Sequence, residues 1–168
     1  MKKITTVVTM LLVALLVFVG CSPNPDNHSI PDWLADKTFS GEVTMTMNGS
    51  VEPMTQSMTL RFTDNDCYIT QQGMSGQSSL KSSYGTYKYE EKSSDSQYSF
   101  IIPHISSSTN QDGVTSNITG SLSFVVDKID DVTIKLTQKI ISKGEMSSPE
   151  VTTPIDANIT ISGTLVRE

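Results

Sequence analysis

The sequence contains few of the residues from which active sites and cross-links are usually built. Its 168 residues include two cysteines, two histidines and one tryptophan. His28 and His104 are far apart in the chain, and no Cys/His cluster has the spacing of a metal site. There is no phosphate-binding loop, no Gly-x-Ser-x-Gly and no zinc-protease motif. The sequence therefore nominates no catalytic residue, and we expect a non-enzymatic protein without metal or cofactor.

Positive charge and paired carboxylates are also scarce. Acidic residues outnumber basic ones by 18 to 12, and two of the basic residues lie in the first three positions, so the chain after residue 20 has a net charge of −8. An acidic surface disfavours binding to nucleic acid. Glu90 and Glu91 are adjacent, so in a strand they face opposite sides and cannot act as an acid–base pair. Asp64, Asn65 and Asp66 fail the calcium-loop pattern, and we interpret them as turn formers.

The N-terminal segment predicts export. Two lysines are followed by an apolar run over residues 7–19, which is shorter than the roughly 20 residues of a membrane-spanning helix. The run ends in Phe18-Val19-Gly20-Cys21, which resembles the bacterial lipobox. This resemblance implies that residues 1–20 are a cleaved signal peptide and that Cys21 carries a diacylglyceryl thioether and an acylated, palmitate-type amine. The alternative is a plain secretory signal with an incidental cysteine.

Lipidation of Cys21 would make membrane lipid its partner and place the protein in the cell envelope. Several acyl chains, at about 0.8 kcal/mol per buried CH₂, anchor a protein stably. Ser22 after the cysteine fits the enterobacterial rule for outer-membrane sorting, with the domain facing the periplasm or the cell surface. Residues 21–30 include two prolines and predict a lipidated tether. Cys67 then has no partner in the chain, and we interpret it either as a buried small hydrophobe or as a reactive or pairing thiol.

Period-two alternation of apolar and polar residues dominates residues 31–168. Serine and threonine make up 41 of the 148 residues after position 20, whereas alanine and leucine are scarce, which is typical of half-buried strands. Strong alternation predicts strands over residues 39–47, 54–62, 67–72, 115–126, 132–137 and 155–165. Weaker patterns predict strands over residues 78–82, 84–91 and 98–102, loops over 106–113 and 143–154, and a helical turn over 31–36 in which Trp33 plugs one end of the domain. The sequence thus predicts one all-β domain of about eight or nine antiparallel strands.

Four short motifs follow one another in a familiar order. Trp33 precedes Phe39-Ser40-Gly41, and then come Arg61 to Asp66, Gly85-Thr86-Tyr87-Lys88-Tyr89 and Ser162-Gly163-Thr164-Leu165. The arrangement resembles the small lipocalin-like β-barrel lipoproteins of spirochaetes and related bacteria. The resemblance covers residues 31–168 and implies a single antiparallel up-and-down β-barrel with a ligand cavity.

The alternation places five side chains on one inner face as a candidate ligand-binding site: Phe39, Met45, Met47, Met58 and Phe62. An eight-stranded barrel is just wide enough to fill with side chains or to hold one small ligand, and methionine suits both arrangements. We therefore expect a membrane-anchored binding module for a small apolar ligand. The alternative is an envelope lipoprotein with a packed core that contacts an envelope or host protein through the predicted loops.

Overall fold

The computed structural model describes residues 30–49, 52–72, 76–111, 114–148 and 151–168. The predicted signal peptide, the lipidation site Cys21 and the tether up to residue 29 lie outside these residues. Within them the chain forms nine strands and one short helix: β1 (Thr38–Met47), β2 (Met54–Phe62), β3 (Cys67–Gln71), β4 (Ser78–Ser79), α1 (Leu80–Tyr84), β5 (Glu90–Ser93), β6 (Gln97–Gln111), β7 (Val114–Lys128), β8 (Thr133–Ser147) and β9 (Thr152–Arg167).

All nine strands belong to one antiparallel sheet in the order β4-β3-β2-β1-β9-β8-β7-β6-β5. Except for β4 and β5, each strand lies beside its neighbour in sequence, and β9 returns to pair with β1. The sheet curls into a half-barrel, which confirms the predicted all-β class, antiparallel up-and-down order and strand number. Among the strands described, β4 and β5 are the two edges and form no ladder with each other. We call the gap between these two edges the seam. In the sequence, α1 and residues 85–89 connect β4 to β5.

The inner face of the sheet is built by the alternation that the sequence shows. In β9, Ala157, Ile159, Ile161 and Leu165 are buried, while the residues between them are half-buried or exposed. The same period-two burial appears in β1, β2, β7 and β8. Because a Leu, Ile or Phe side chain contributes about 1.5–3 kcal/mol on full burial, this face holds most of the hydrophobic stabilisation.

The two predicted polar loops are wrong, since residues 106–111 and 143–147 continue β6 and β8. Ser106 pairs with Thr119, and the β6–β7 ladder runs up to the pair Gln111 and Val114. The β8–β9 ladder likewise extends to Ser147 and Thr152. Residues 106–109 are serine and threonine, and most of this stretch is exposed, whereas in residues 143–147 only Lys143 and Glu145 are exposed. Backbone hydrogen bonds of the β6–β7 and β8–β9 ladders stabilise both stretches.

The predicted strands over residues 78–82 and 84–91 are also largely wrong. The structure forms α1 at Leu80–Tyr84, between the two-residue β4 and β5. The Ser79 hydroxyl accepts a hydrogen bond from Ser82 N and so caps the helix. The cap satisfies a backbone N–H group that, in a strand, would bond to the neighbouring strand. The segment therefore forms a single helical turn.

The chain enters the half-barrel at one end, which we call the base. Ile30 N donates to Asp64 O in the β2–β3 turn (3.1 Å), and Trp33 Nε1 donates to Ser94 O before β6 (2.8 Å). Trp33 packs against the hydrophobic core, where the sequence predicted a plug. The tips of the β6–β7 and β8–β9 hairpins lie at the ends of these strands that are far from the base. The strands have 15 or 16 residues, so each is about 50 Å long.

Beyond the core, β7 and β8 approach each other unusually closely. A Cβ atom at Gly120 would collide with the backbone oxygen of Ile141, and one at Gly144 would collide with that of Asn117. Glycine is therefore required at both positions. In β6, the register shifts between Ile102 and Ile105, around Pro103, which agrees with the rule that proline within a sheet lies at irregularities or edges.

Candidate functional site

The five residues of the predicted ligand site are brought together, but as part of a packed core. Phe39, Met58 and Phe62 are 1–2% exposed, and Met45 is 6% exposed. Met47 is partly buried and packs against the same cluster. The rings of Phe39 and Phe62 meet edge to face, with centroids 6.1 Å apart, a geometry that stabilises aromatic pairs in protein interiors.

Aromatic residues from the opposite side of the half-barrel complete this packing. The ring of Phe62 meets that of Tyr98 edge to face at 6.3 Å, and Phe100 and Phe124 are fully buried in the same core. Inward side chains from β1, β2, β6 and β7 therefore fill the interior at this level. An eight- or nine-stranded sheet of this curvature permits such filling.

A small cavity of about 20 Å³ lies between β3, β4 and α1 on one side and β8 on the other. None of the five predicted ligand residues lines it. Its walls are formed by Ile69, Gln71, Ser78, Ser79, Leu80, Ser83, Tyr84 and Gln138. Since a cavity needs about 10–15 Å³ to hold one water molecule, its volume is sufficient for a ligand of that size.

A buried polar cluster at the seam was not predicted from the sequence. The carboxylate of Glu91 is 1% exposed and lies 3.0 Å from Nζ of Lys81. The hydroxyl of Tyr98 donates to the other carboxylate oxygen, Oε1, at 2.6 Å. Burial, followed by this hydrogen bond and the charge of Glu91, raises the pKa of Tyr98. The cluster therefore joins α1 to β5 and β6 where the sheet has no backbone ladder.

Asp66 joins α1 to the β2–β3 turn from the other side of the seam. Its Oδ1 accepts hydrogen bonds from Cys67 N (2.8 Å) and Lys81 N (3.0 Å). Its Oδ2 accepts a hydrogen bond from the Ser79 hydroxyl. The sequence interpretation of Asp66 as a turn former is therefore incomplete, because this carboxylate also positions the helix. Local sequence carries no signal for a contact between residues 15 positions apart.

The remaining titratable groups indicate structural roles. Cys67 is fully buried, and burial followed by the charge of Asp66 raises the pKa of its thiol. A protonated thiol is a poor nucleophile, and the burial of Cys67 agrees with its interpretation as a small hydrophobe. Glu90 is exposed while Glu91 is buried, as their adjacency in a strand predicts. His104 is exposed on β6.

The described residues contain no group of three or more His, Cys, Asp or Glu side chains that could hold a metal ion. In the same part of the chain, no helix has the length and apolar character needed to cross a bilayer. No protein-family model, curated protein or solved structure matches this chain. The function is therefore inferred from the sequence and the fold of this chain.

Proposed function

We propose that this protein is a lipid-anchored, non-enzymatic envelope protein that contacts another envelope or host protein through the ends of its long hairpins. The half-barrel serves as a rigid support between the anchor and these hairpins. Of the two functions that the sequence suggests, this one replaces the binding of a small apolar ligand inside the barrel.

The packed interior argues against a ligand among the predicted site residues. Met58 and Phe62 are each 1% exposed, so a ligand would have to displace side chains that already fill the core. Removing such packing costs several kcal/mol, because a truncated Met or Phe in a core typically destabilises a protein by about 2–5 kcal/mol. The interior is therefore better explained as the source of stability than as a binding site.

The single observation that carries the proposal is the extension of β6 to β9 beyond the core. Residues 106–111 and 114–119 of one hairpin, and 143–147 and 152–156 of the other, pair with each other in one four-stranded region. We call this region the extension. Many of its side chains are exposed, including Ser108, Asn110, Asn117 and Thr153. Extra strand length that adds little to the core is explained by contact with a partner.

The direction of the extension fits an anchored protein. The chain leaves the base at Ile30, and the expected anchor at Cys21 precedes it by nine residues, or about 30 Å if fully extended. The hairpin tips lie at the far end of the strands from this point. An anchored molecule would thus hold the extension away from the membrane, where its polar side chains and backbone groups are accessible to a partner.

Site-specific photo-crosslinking in intact cells tests this proposal. A photoreactive residue at Asn110 or Thr153 lies in the extension, and one at Lys92, whose side chain is 73% exposed near the base, is the matched control. We expect the two extension positions to give the same protein adduct and Lys92 to give none. Equal crosslinking at all three positions, or none at any, would contradict the proposal.

Mass spectrometry of the protein isolated from its membrane tests the anchor and the rejected alternative together. We expect a diacylglyceryl and acyl mass on Cys21, and loss of membrane partitioning in Cys21→Ser. An unmodified Cys21 would contradict the proposed lipid anchor. A stoichiometric apolar molecule that co-purifies with the protein would instead restore the ligand-binding hypothesis.

A further inference from the structure

The cavity behind α1 is lined by a residue whose buried side-chain oxygen has no hydrogen-bond partner among the described residues. Gln138 lies on β8, is 5% exposed and lines the cavity. Its Oε1 atom is buried and has no hydrogen-bond partner within the described residues. Such an acceptor is costly in a protein interior, so a hydrogen-bond donor that no side chain supplies is expected to be bound here.

We propose that this cavity is a binding site for one internal water molecule, which donates a hydrogen bond to Gln138 Oε1. The volume of about 20 Å³ is sufficient for one water. The chemistry required at the site is that of a small neutral donor, because the buried partner is an amide oxygen and no charged side chain lines the cavity.

The opposite wall supplies the further partners that an internal water needs. Buried waters typically make about three hydrogen bonds. Gln71, which is 8% exposed, and Ser83 line the cavity opposite β8, and their side-chain amide and hydroxyl groups can donate or accept. A water in this position links β8 to β3 and α1 through the interior of the half-barrel.

This position gives the water a structural role at the seam. The edge formed by β4 is only two residues long, with two register pairs to β3, and the helix that follows has five residues. Both elements are therefore weakly held by their own backbone hydrogen bonds. A water-mediated contact to Gln138 on β8 adds a tie between this edge and the long strands.

Water-proton NMR on the isolated protein provides the test. In the wild type we expect cross-peaks between a long-lived water and the side-chain amide protons of Gln138, and in oxygen-17 relaxation dispersion one more long-lived water than in Gln138→Met. The substitution Thr137→Val, on the outward face of the same strand, is the matched control and should leave the number of long-lived waters unchanged.

Three outcomes would overturn the proposal. The first is the absence of a long-lived water near the Gln138 amide in the wild type, a measurement that does not depend on whether the variant folds. The second is an equal number of long-lived waters in the wild type and in folded Gln138→Met. The third is a crystal structure in which a hydroxyl or amino group of a larger molecule, and no water, occupies the site next to Gln138 Oε1.

Discussion

The hydrogen bond between Tyr98 and Glu91 offers a sharp test of how the seam is held. Tyr98 is fully buried, and its hydroxyl lies 2.6 Å from a carboxylate oxygen of Glu91. The substitution Tyr98→Phe removes this hydroxyl and keeps the ring, including its edge-to-face contact with Phe62. The loss of stability therefore reports mainly on the hydrogen bond to the buried carboxylate.

The expected magnitude follows from the charge of the acceptor. A hydrogen bond to a charged group contributes about 1.5–3 kcal/mol, and its removal leaves a buried carboxylate oxygen without that donor. Lys81 remains 3.0 Å from the other oxygen and keeps the charge paired. We therefore expect Tyr98→Phe to lower the free energy of unfolding by about 2 kcal/mol, which raises the equilibrium constant for unfolding about 30-fold.

Urea denaturation followed by circular dichroism measures this change. Tyr87→Phe is the control, since the Tyr87 hydroxyl makes a long, exposed hydrogen bond to Ser106 O (3.4 Å), and its loss should cost less than about 0.5 kcal/mol. In a double-mutant cycle with Glu91→Gln, the two substitutions should be coupled by about 1 kcal/mol. Equal effects of the two tyrosine substitutions, or additivity in the cycle, would refute the reasoning.

Three other predictions follow from the core, the extension and the tyrosines. Met58 is 1% exposed, and Met58→Ala should lower the free energy of unfolding, measured by urea denaturation, by about 3 kcal/mol. Met54 is 51% exposed, and the control Met54→Ala should lower it by less than about 0.5 kcal/mol. Similar losses in the two variants would contradict the packed core. Gly144→Ala should lower the free energy of unfolding by about 1–3 kcal/mol, because its Cβ would collide with Asn117 O; an unchanged midpoint would show that β7 and β8 are not held so closely. Burial, followed by the charge of Tyr87, raises the pKa of Tyr84 to about 12. Because an unfolded tyrosine ionises at about pH 10, the unfolded state binds fewer protons above that pH, and Tyr84 by itself should lower stability by about 1.4 kcal/mol per pH unit between about pH 10 and 12. Urea denaturation across this range should show a shallower fall in Tyr84→Phe, and identical slopes would contradict the assignment.

Local patterns in the sequence predict the strands that have one face against the core and the other towards solvent. Phe39, Val43 and Met45 share a parity in β1 and are buried, while the residues opposite are half-buried or exposed. The same pattern fails in residues 106–111 and 143–147, because these strands pass beyond the core and have no buried face to mark them. Backbone pairing with a neighbouring strand leaves no trace in the sequence of a single strand.

Contacts between distant residues account for what the sequence could not predict about the site. The adjacency of Glu90 and Glu91 places them on opposite faces of any strand, but only the pairing of β5 with β6, which aligns Glu91 with Phe100, decides which carboxylate is buried. Similarly, α1 forms over residues for which the sequence predicts a strand. Asp66, 15 positions earlier than Lys81, stabilises the helix by accepting a hydrogen bond from Lys81 N.

By itself, the sequence determined the all-β class, the antiparallel order of consecutive strands and the inner face that carries Phe39, Met58 and Phe62, because period-two alternation and turn residues are local properties. Only the tertiary structure decided that this face is filled, that the sheet leaves a seam between β4 and β5, and that Gln138 lines a small cavity. These features depend on the curvature of the sheet and on which side chains meet across the interior, and both are set by the whole chain at once.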